Sequence, residues 1–133
     1  MNKLPVRGQG GFTLIEVLVV CTILGVLASI AVPKFTNSVA MANTAKIQAD
    51  LEAIDTAAAL YEMETGAAPA SVAALADYIK DAASLKPPTG KCRLKDGTVE
   101  NINATEYTLQ TVSGSTEVRA YCGNWTSASF GKQ

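Results

Sequence analysis

An α+β fold, with one long N-terminal α-helix packed on a small head that holds a short helix and an antiparallel β-sheet, is predicted by three features of this 133-residue chain. Residues 12–32 form a nearly unbroken apolar run, and residues 47–61 carry an apolar stripe of helical period. Beyond Gly90 the chain breaks into short alternating segments separated by Asp96-Gly97 and Ser113-Gly114-Ser115. The length allows one small domain, and the apolar run withdraws part of it from any water-soluble core. Histidine is absent, which removes the commonest general base and the commonest zinc ligand. No catalytic residue, metal or cofactor is therefore expected.

In the apolar run only Thr13, Glu16, Thr22 and Ser29 are polar, and roughly 20 such residues suffice to cross a bilayer as a helix. Glu16 is the one formal charge among them. A carboxylate at the middle of a membrane helix costs about 2.5–3.5 kcal/mol, so a retained one calls for a partner. Thr13 is placed to cap the first turn. Gly25 lowers helix propensity by up to about 1 kcal/mol relative to alanine, or serves as a small residue for helix packing in a membrane. Pro33 removes a backbone donor and crowds the preceding turn, which predicts a kink or a locally extended segment over residues 25–33. Cys21 reads as a small hydrophobe within the run.

Ahead of the run stand Lys3, Arg7 and then Gly10-Gly11. An ordinary secretory signal carries its small-residue cleavage site after the apolar core, so that the core is discarded. Here the small residues come first. A cut after Gly11 would release the basic leader and keep the membrane helix, and Lys3 and Arg7 would hold the leader on the cytoplasmic side. The mature chain would then carry nine basic side chains against twelve acidic ones, a balance of −3 that gives no electrostatic reason to seek nucleic acid.

Past Pro33 the helical pattern turns amphipathic. Ile47, Leu51, Ile54, Ala58 and Tyr61 fall on one stripe, with Lys46, Asp50, Glu52, Asp55 and Glu62 mostly away from it, and Thr65-Gly66 supplies the stop. Ser71 is placed to cap a second helix in which Val72, Leu75, Tyr78 and Ile79 recur at helical spacing and which ends before Pro87-Pro88.

Residues 91–94 and 98–102 then flank one tight turn, and 106–112 and 116–122 another, predicting a small antiparallel sheet with one covered face. Cys92 and Cys122 form an even pair in the polar half, read as a disulfide or as two unrelated thiols. A bridge would close a loop of roughly 30 residues and stabilise the fold by about 3.5 kcal/mol in the chain-entropy account. Lys91, Arg93 and Lys95 alternate onto one strand face, which meets DNA or an acidic neighbour or, as the simpler reading, is solvated. Asn103-Ala104-Thr105 and Asn124-Trp125-Thr126 match the N-glycosylation pattern, which arises readily by chance. Trp125 and Phe130 either cover the core or meet another subunit.

Residues 1–11 followed by Phe12-Thr13-Leu14-Ile15-Glu16 resemble the class III leader and N-terminal motif of type IV pilins and of the pseudopilins of type II secretion and competence systems. The resemblance covers about the first third of the chain. It implies cleavage by a prepilin peptidase between Gly11 and Phe12, methylation of the new Phe12 amine, and assembly through Glu16, with Pro33 at the position where the family commonly kinks its helix. The implied organisation is a leader at 1–11, a transmembrane or filament-core helix at 12–35, the amphipathic half of that helix at 36–66, and an α+β head at 67–133. The expected partners are further copies of the chain in a helical filament, the prepilin peptidase, and an inner-membrane assembly platform with its ATPase. The chain would be a single-pass inner-membrane protein before assembly and part of a cell-surface filament afterwards.

Major secretion pseudopilins often carry a calcium loop rich in acidic residues after the short helix, whereas here Asp96 is the one acid between Leu85 and Gly97. The leading expectation is therefore a pilus subunit with a disulfide-stabilised head. The alternative is a minor pilin or a pseudopilin of a secretion or DNA-uptake system.

Overall fold

The computed structural model describes residues 10–130. They comprise one helix, α1 (Leu14–Thr65), and four short strands, β1 (Lys91–Arg93), β2 (Val99–Asn101), β3 (Tyr107–Thr111) and β4 (Val118–Cys122), with single turns of 3-10 helix at Val72–Leu75, Ala82–Ser84 and Ser127–Ser129. The chain divides into two compact units, Met1–Thr36 and Asn37–Gln133. The leader residues Lys3 and Arg7 lie outside the described residues.

In the first unit, helical backbone continues through Pro33, so the extended segment offered as one outcome for residues 25–33 does not form. A proline removes one backbone donor, a local cost of about 3 kcal/mol against many propagating turns on either side. Hydroxyls near it add bonds to the same backbone: Ser29 Oγ donates to the Val26 carbonyl at 2.7 Å, and Thr36 Oγ1 donates to the Val32 carbonyl at 2.9 Å.

In the second unit the predicted stripe is the core. Ile47, Leu51 and Ile54 are fully buried, joined by Ala57 and Ala58 from α1 and by Leu75, Cys92, Tyr107, Ala120, Cys122 and Phe130 from the head, with Tyr61 packed at the margin. The helix ends where expected. Gly66 takes φ +72°, left-handed backbone that a side chain would strain, and its N–H closes the last turn on the Glu62 carbonyl at 2.8 Å.

The predicted second helix is a correction. Between Ser71 and Pro87 the chain forms two separate 3-10 turns, and Ser71 makes no capping bond. Asp81, at φ +61°, stands in left-handed backbone and prevents a helix from running through. Leu75, Val72, Tyr78 and Ile79 still reach the core, so their spacing signalled burial without a continuous helix.

The expected single sheet is likewise two separate antiparallel hairpins, β1–β2 and β3–β4. Their registers follow the alternation, with Tyr107 opposite Cys122, Leu109 opposite Ala120 and Thr111 opposite Val118. The first turn is fixed by Asp96, whose Oδ1 accepts from Thr98 N at 2.9 Å and Thr98 Oγ1 at 2.6 Å, while Gly97 takes φ +88°.

Candidate functional site

The first turn of α1 places the sequence-singled residues together. Thr13 Oγ1 accepts the Glu16 N–H at 3.3 Å, while the Thr13 N–H and hydroxyl both donate to Glu16 Oε2 at 2.8 Å. This reciprocal capping box satisfies two of the orphan donors at a helix start. The T-x-x-E spacing that encodes it was present in the sequence, where only Thr13's share was read. Oε2 is doubly occupied, and Oε1 carries no hydrogen bond among the described residues.

Below this cap the helix presents apolar side chains on every face. Phe12 is 85% exposed and Ile30 60%, and the most apolar 18-residue window has mean hydropathy 2.6 with none of it buried. Bare apolar surface of this extent marks a lipid or protein contact. An added Cβ at Gly25 would meet nothing within 4 Å, so that glycine leaves a shallow place on an open helix surface. Cys21 is exposed on the same helix.

In the second unit, polar side chains of α1 grip the head, a role missed when Asp50 and Asp55 were read simply as lying off the stripe. The Asn43 amide donates to the carbonyls of Lys91 (2.9 Å) and Thr89 (3.2 Å). Thr44 Oγ1 accepts the Arg93 N–H at 2.7 Å and lies 2.9 Å from the carbonyl oxygens of Arg93 and Ala40, which share its one proton. Asp50 Oδ2 takes the Tyr107 hydroxyl at 2.7 Å and pairs with Lys46 Nζ at 2.6 Å. Asp55 accepts from Ala120 N at 2.7 Å and from Ser127 Oγ at 3.3 Å. Acidic and amide residues flanking an apolar stripe at these spacings were the available signal.

Cys92 and Cys122 come from different hairpins into the same buried cluster, where each is a free thiol. Burial pushes the Cys92 thiol up, and burial, followed by the neighbouring Cys92 and Asp50, pushes Cys122 up to about 11. Such thiols are poor nucleophiles. Lys91 and Arg93 lie exposed on β1, as the alternation predicts. A recess of about 160 Å³ beside Asp55, Glu62, Glu117 and Arg119 offers no ready acid–base pair, because Asp55 is occupied as described and Arg119 is paired with Glu117 at 3.1 Å. Among the described residues no group of three or more cysteine, aspartate or glutamate side chains is placed to hold a metal ion.

Residues 6–32 match the model of the prokaryotic N-terminal methylation motif. The chain is 36% identical over 90 residues to type II secretion system core protein G of Pseudomonas aeruginosa, covering 68% of this chain and 59% of that protein. It is 31% identical over 96 residues to core protein G of Dickeya chrysanthemi, covering 72% of this chain and 61% of that one. A type IV major alpha-pilin of Moraxella bovis is 41% identical over 61 residues, 44% of this chain and 38% of the pilin. The chain thus spans about three fifths of the length of the secretion relatives it matches. No solved structure matches.

Proposed function

We propose that this chain, which carries the N-terminal methylation motif and is homologous to type II secretion core protein G and to a type IV pilin, is a pseudopilin: a structural subunit of a secretion filament, without catalytic activity. The expectation of a pilus subunit gives way to its alternative, because the core protein G relatives align over a larger share of this chain than the pilin does. The observation that carries the reading is the uncovered apolar first part of α1, opened by a capping box around its single carboxylate.

In this reading a prepilin peptidase cuts between Gly11 and Phe12, and the Phe12 amine is methylated. The chain waits in the inner membrane as a single-pass protein, and a membrane platform with its ATPase feeds it into a helical homopolymer. Lipid covers the helix before assembly and neighbouring helices cover it afterwards. Pro33 and Gly25 supply local give in the helix during that transfer. A cationic amine near the membrane interface and the carboxylate of Glu16 are each penalised alone in hydrocarbon and tolerated as a pair. Glu16 Oε1 is the acceptor for that amine, so pairing between subunits fixes one axial register.

Mass spectrometry of the chain recovered from membranes should give an N-terminus at methylated Phe12; a start at any other residue overturns the processing site. Deleting the chain should abolish export of secreted enzymes and leave surface pili in place. Loss of pili with export intact would return the reading to a pilus subunit.

A further inference from the structure

Of the two N-x-T sequences in the head, the fold treats one as an open acceptor and the other as part of its own framework. Residues 102–106 join the two hairpins outside any regular element, with a bend at Thr105-Glu106. Ile102 and Ala104 pack toward the core cluster, which turns Asn103 and Thr105 outward together. Both are exposed, and neither side chain is held by a hydrogen bond among the described residues. The amide of Asn103 and the hydroxyl of Thr105 are therefore both accessible on this connecting segment.

In the second sequence Asn124 is exposed as well, but its neighbours Trp125 and Thr126 are half-buried and held in place. Asn124 sits in a tight turn whose ends exchange two backbone bonds, Cys122 N to Trp125 O at 2.8 Å and Trp125 N to Cys122 O at 3.1 Å. Its middle residue, Trp125, packs on the core and stacks edge-to-face with Phe130 at 6.1 Å. The Thr126 N–H donates to Ser129 Oγ at 3.2 Å, and the Thr126 carbonyl accepts the Ser129 N–H at 2.9 Å. A glycosylating enzyme that takes its acceptor as open chain would have to unmake that turn.

We infer that Asn103 is an N-glycan acceptor of the folded head and that Asn124 is not. The donor class is a lipid-pyrophosphate-linked oligosaccharide. The Asn103 side-chain nitrogen forms a bond to C1 of the first sugar, the C1–O bond to pyrophosphate breaks, the lipid pyrophosphate leaves, and one amide proton passes to a base of the transferase. The threonine two residues on is the recognition element. The inference rests on the proposed function in one respect, that the head faces the side of the membrane where such transfer occurs.

The test incubates the full chain, folded in detergent, with an oligosaccharyltransferase that accepts N-x-S/T and a lipid-pyrophosphate chitobiose, followed by peptide mapping. One glycan at Asn103 is expected, lost completely in Asn103→Gln and Thr105→Ala, retained in Thr105→Ser and unchanged in Asn124→Gln. The urea-unfolded chain should accept at both sequences, which shows that the fold makes the selection. An unmodified Asn103 in the folded chain, or a glycan on folded Asn124, overturns the inference. Transfer in detergent combined with a bare Asn103 in cells whose outward-facing transferase modifies a control protein would support the acceptor and sink the exported-head reading instead.

Discussion

Glu16 caps its own helix, and in the proposed filament it serves a second demand. Within its own chain Oε2 holds the first turn by accepting two donors from Thr13, while Oε1 keeps its lone pairs. Replacing it with alanine removes the capping partner and the carboxylate together. Glu16→Ala should insert in the membrane as well as the parent, because the substitution only lowers the cost of burial. Its yield of sheared filaments should fall to background, and a normal yield would exclude subunit pairing through this residue. Asp55, in the later part of α1, is the corresponding residue for holding the head. Asp55→Ala strands the Ala120 N–H and the Ser127 hydroxyl, which should cost about 1–3 kcal/mol and speed hydrogen exchange at the Ala120 amide. Unchanged protection at Ala120 would mean that water replaces the carboxylate without loss.

Among the elements, α1 was legible almost to its ends, because apolar run, stripe and Thr65-Gly66 stop each act through near neighbours in the chain. Both hairpins were legible for the same reason, their turns being set by Asp96-Gly97 and Gly114 within a few residues. The 71–86 segment was not. Its spacing reports that Leu75 is buried, and burial is satisfied equally by a helix and by two 3-10 turns around Asp81. The grip of Asn43, Thr44 and Asp50 on the head was legible only as polar residues flanking the stripe, and their partners were hidden, since each bond spans more than forty positions. The element that bears most on head stability is the buried stripe of α1. Leu51→Ala should lower the unfolding free energy by about 2–5 kcal/mol, read as a drop in the urea midpoint with little change in slope. A loss below about 1 kcal/mol would show that the surrounding side chains collapse into the space.

For the molecule as a whole, the two buried cysteines make alkaline stability a reporter of their oxidation state. With both thiols reduced, folded Cys122 keeps its proton to about pH 11, whereas an unfolded thiol releases it near its ordinary value of 9.0. Above pH 9.0 the unfolded state then binds fewer protons than the folded state, so stability falls as pH rises. Tyr107, held protonated by burial and by its bond to Asp50, adds a second decline beginning at the ordinary tyrosine value of 10.0. Bridging Cys92 to Cys122 removes the first decline and leaves the second. Urea midpoints measured across this range should therefore begin to drop about one pH unit later without reductant than with it, and Tyr107→Phe should flatten the remaining drop. An identical onset in both conditions would show that the pair does not bridge.

The hydroxyl of Thr44 and the carboxylate of Asp55 have a consequence for crowding. Strands at the rim of a sheet expose backbone groups that invite another chain to zip alongside, and the hazard grows when copies of one protein are concentrated in a membrane plane. In β1 the outward N–H of Arg93 is taken by Thr44, and in β4 that of Ala120 is taken by Asp55. Cys122 turns its own outward groups onto Trp125. Those outward groups of β1 and β4 are thereby unavailable to an incoming strand. In the proposed filament, subunits held at high local density would then meet through their helices without their heads fusing into an aggregate.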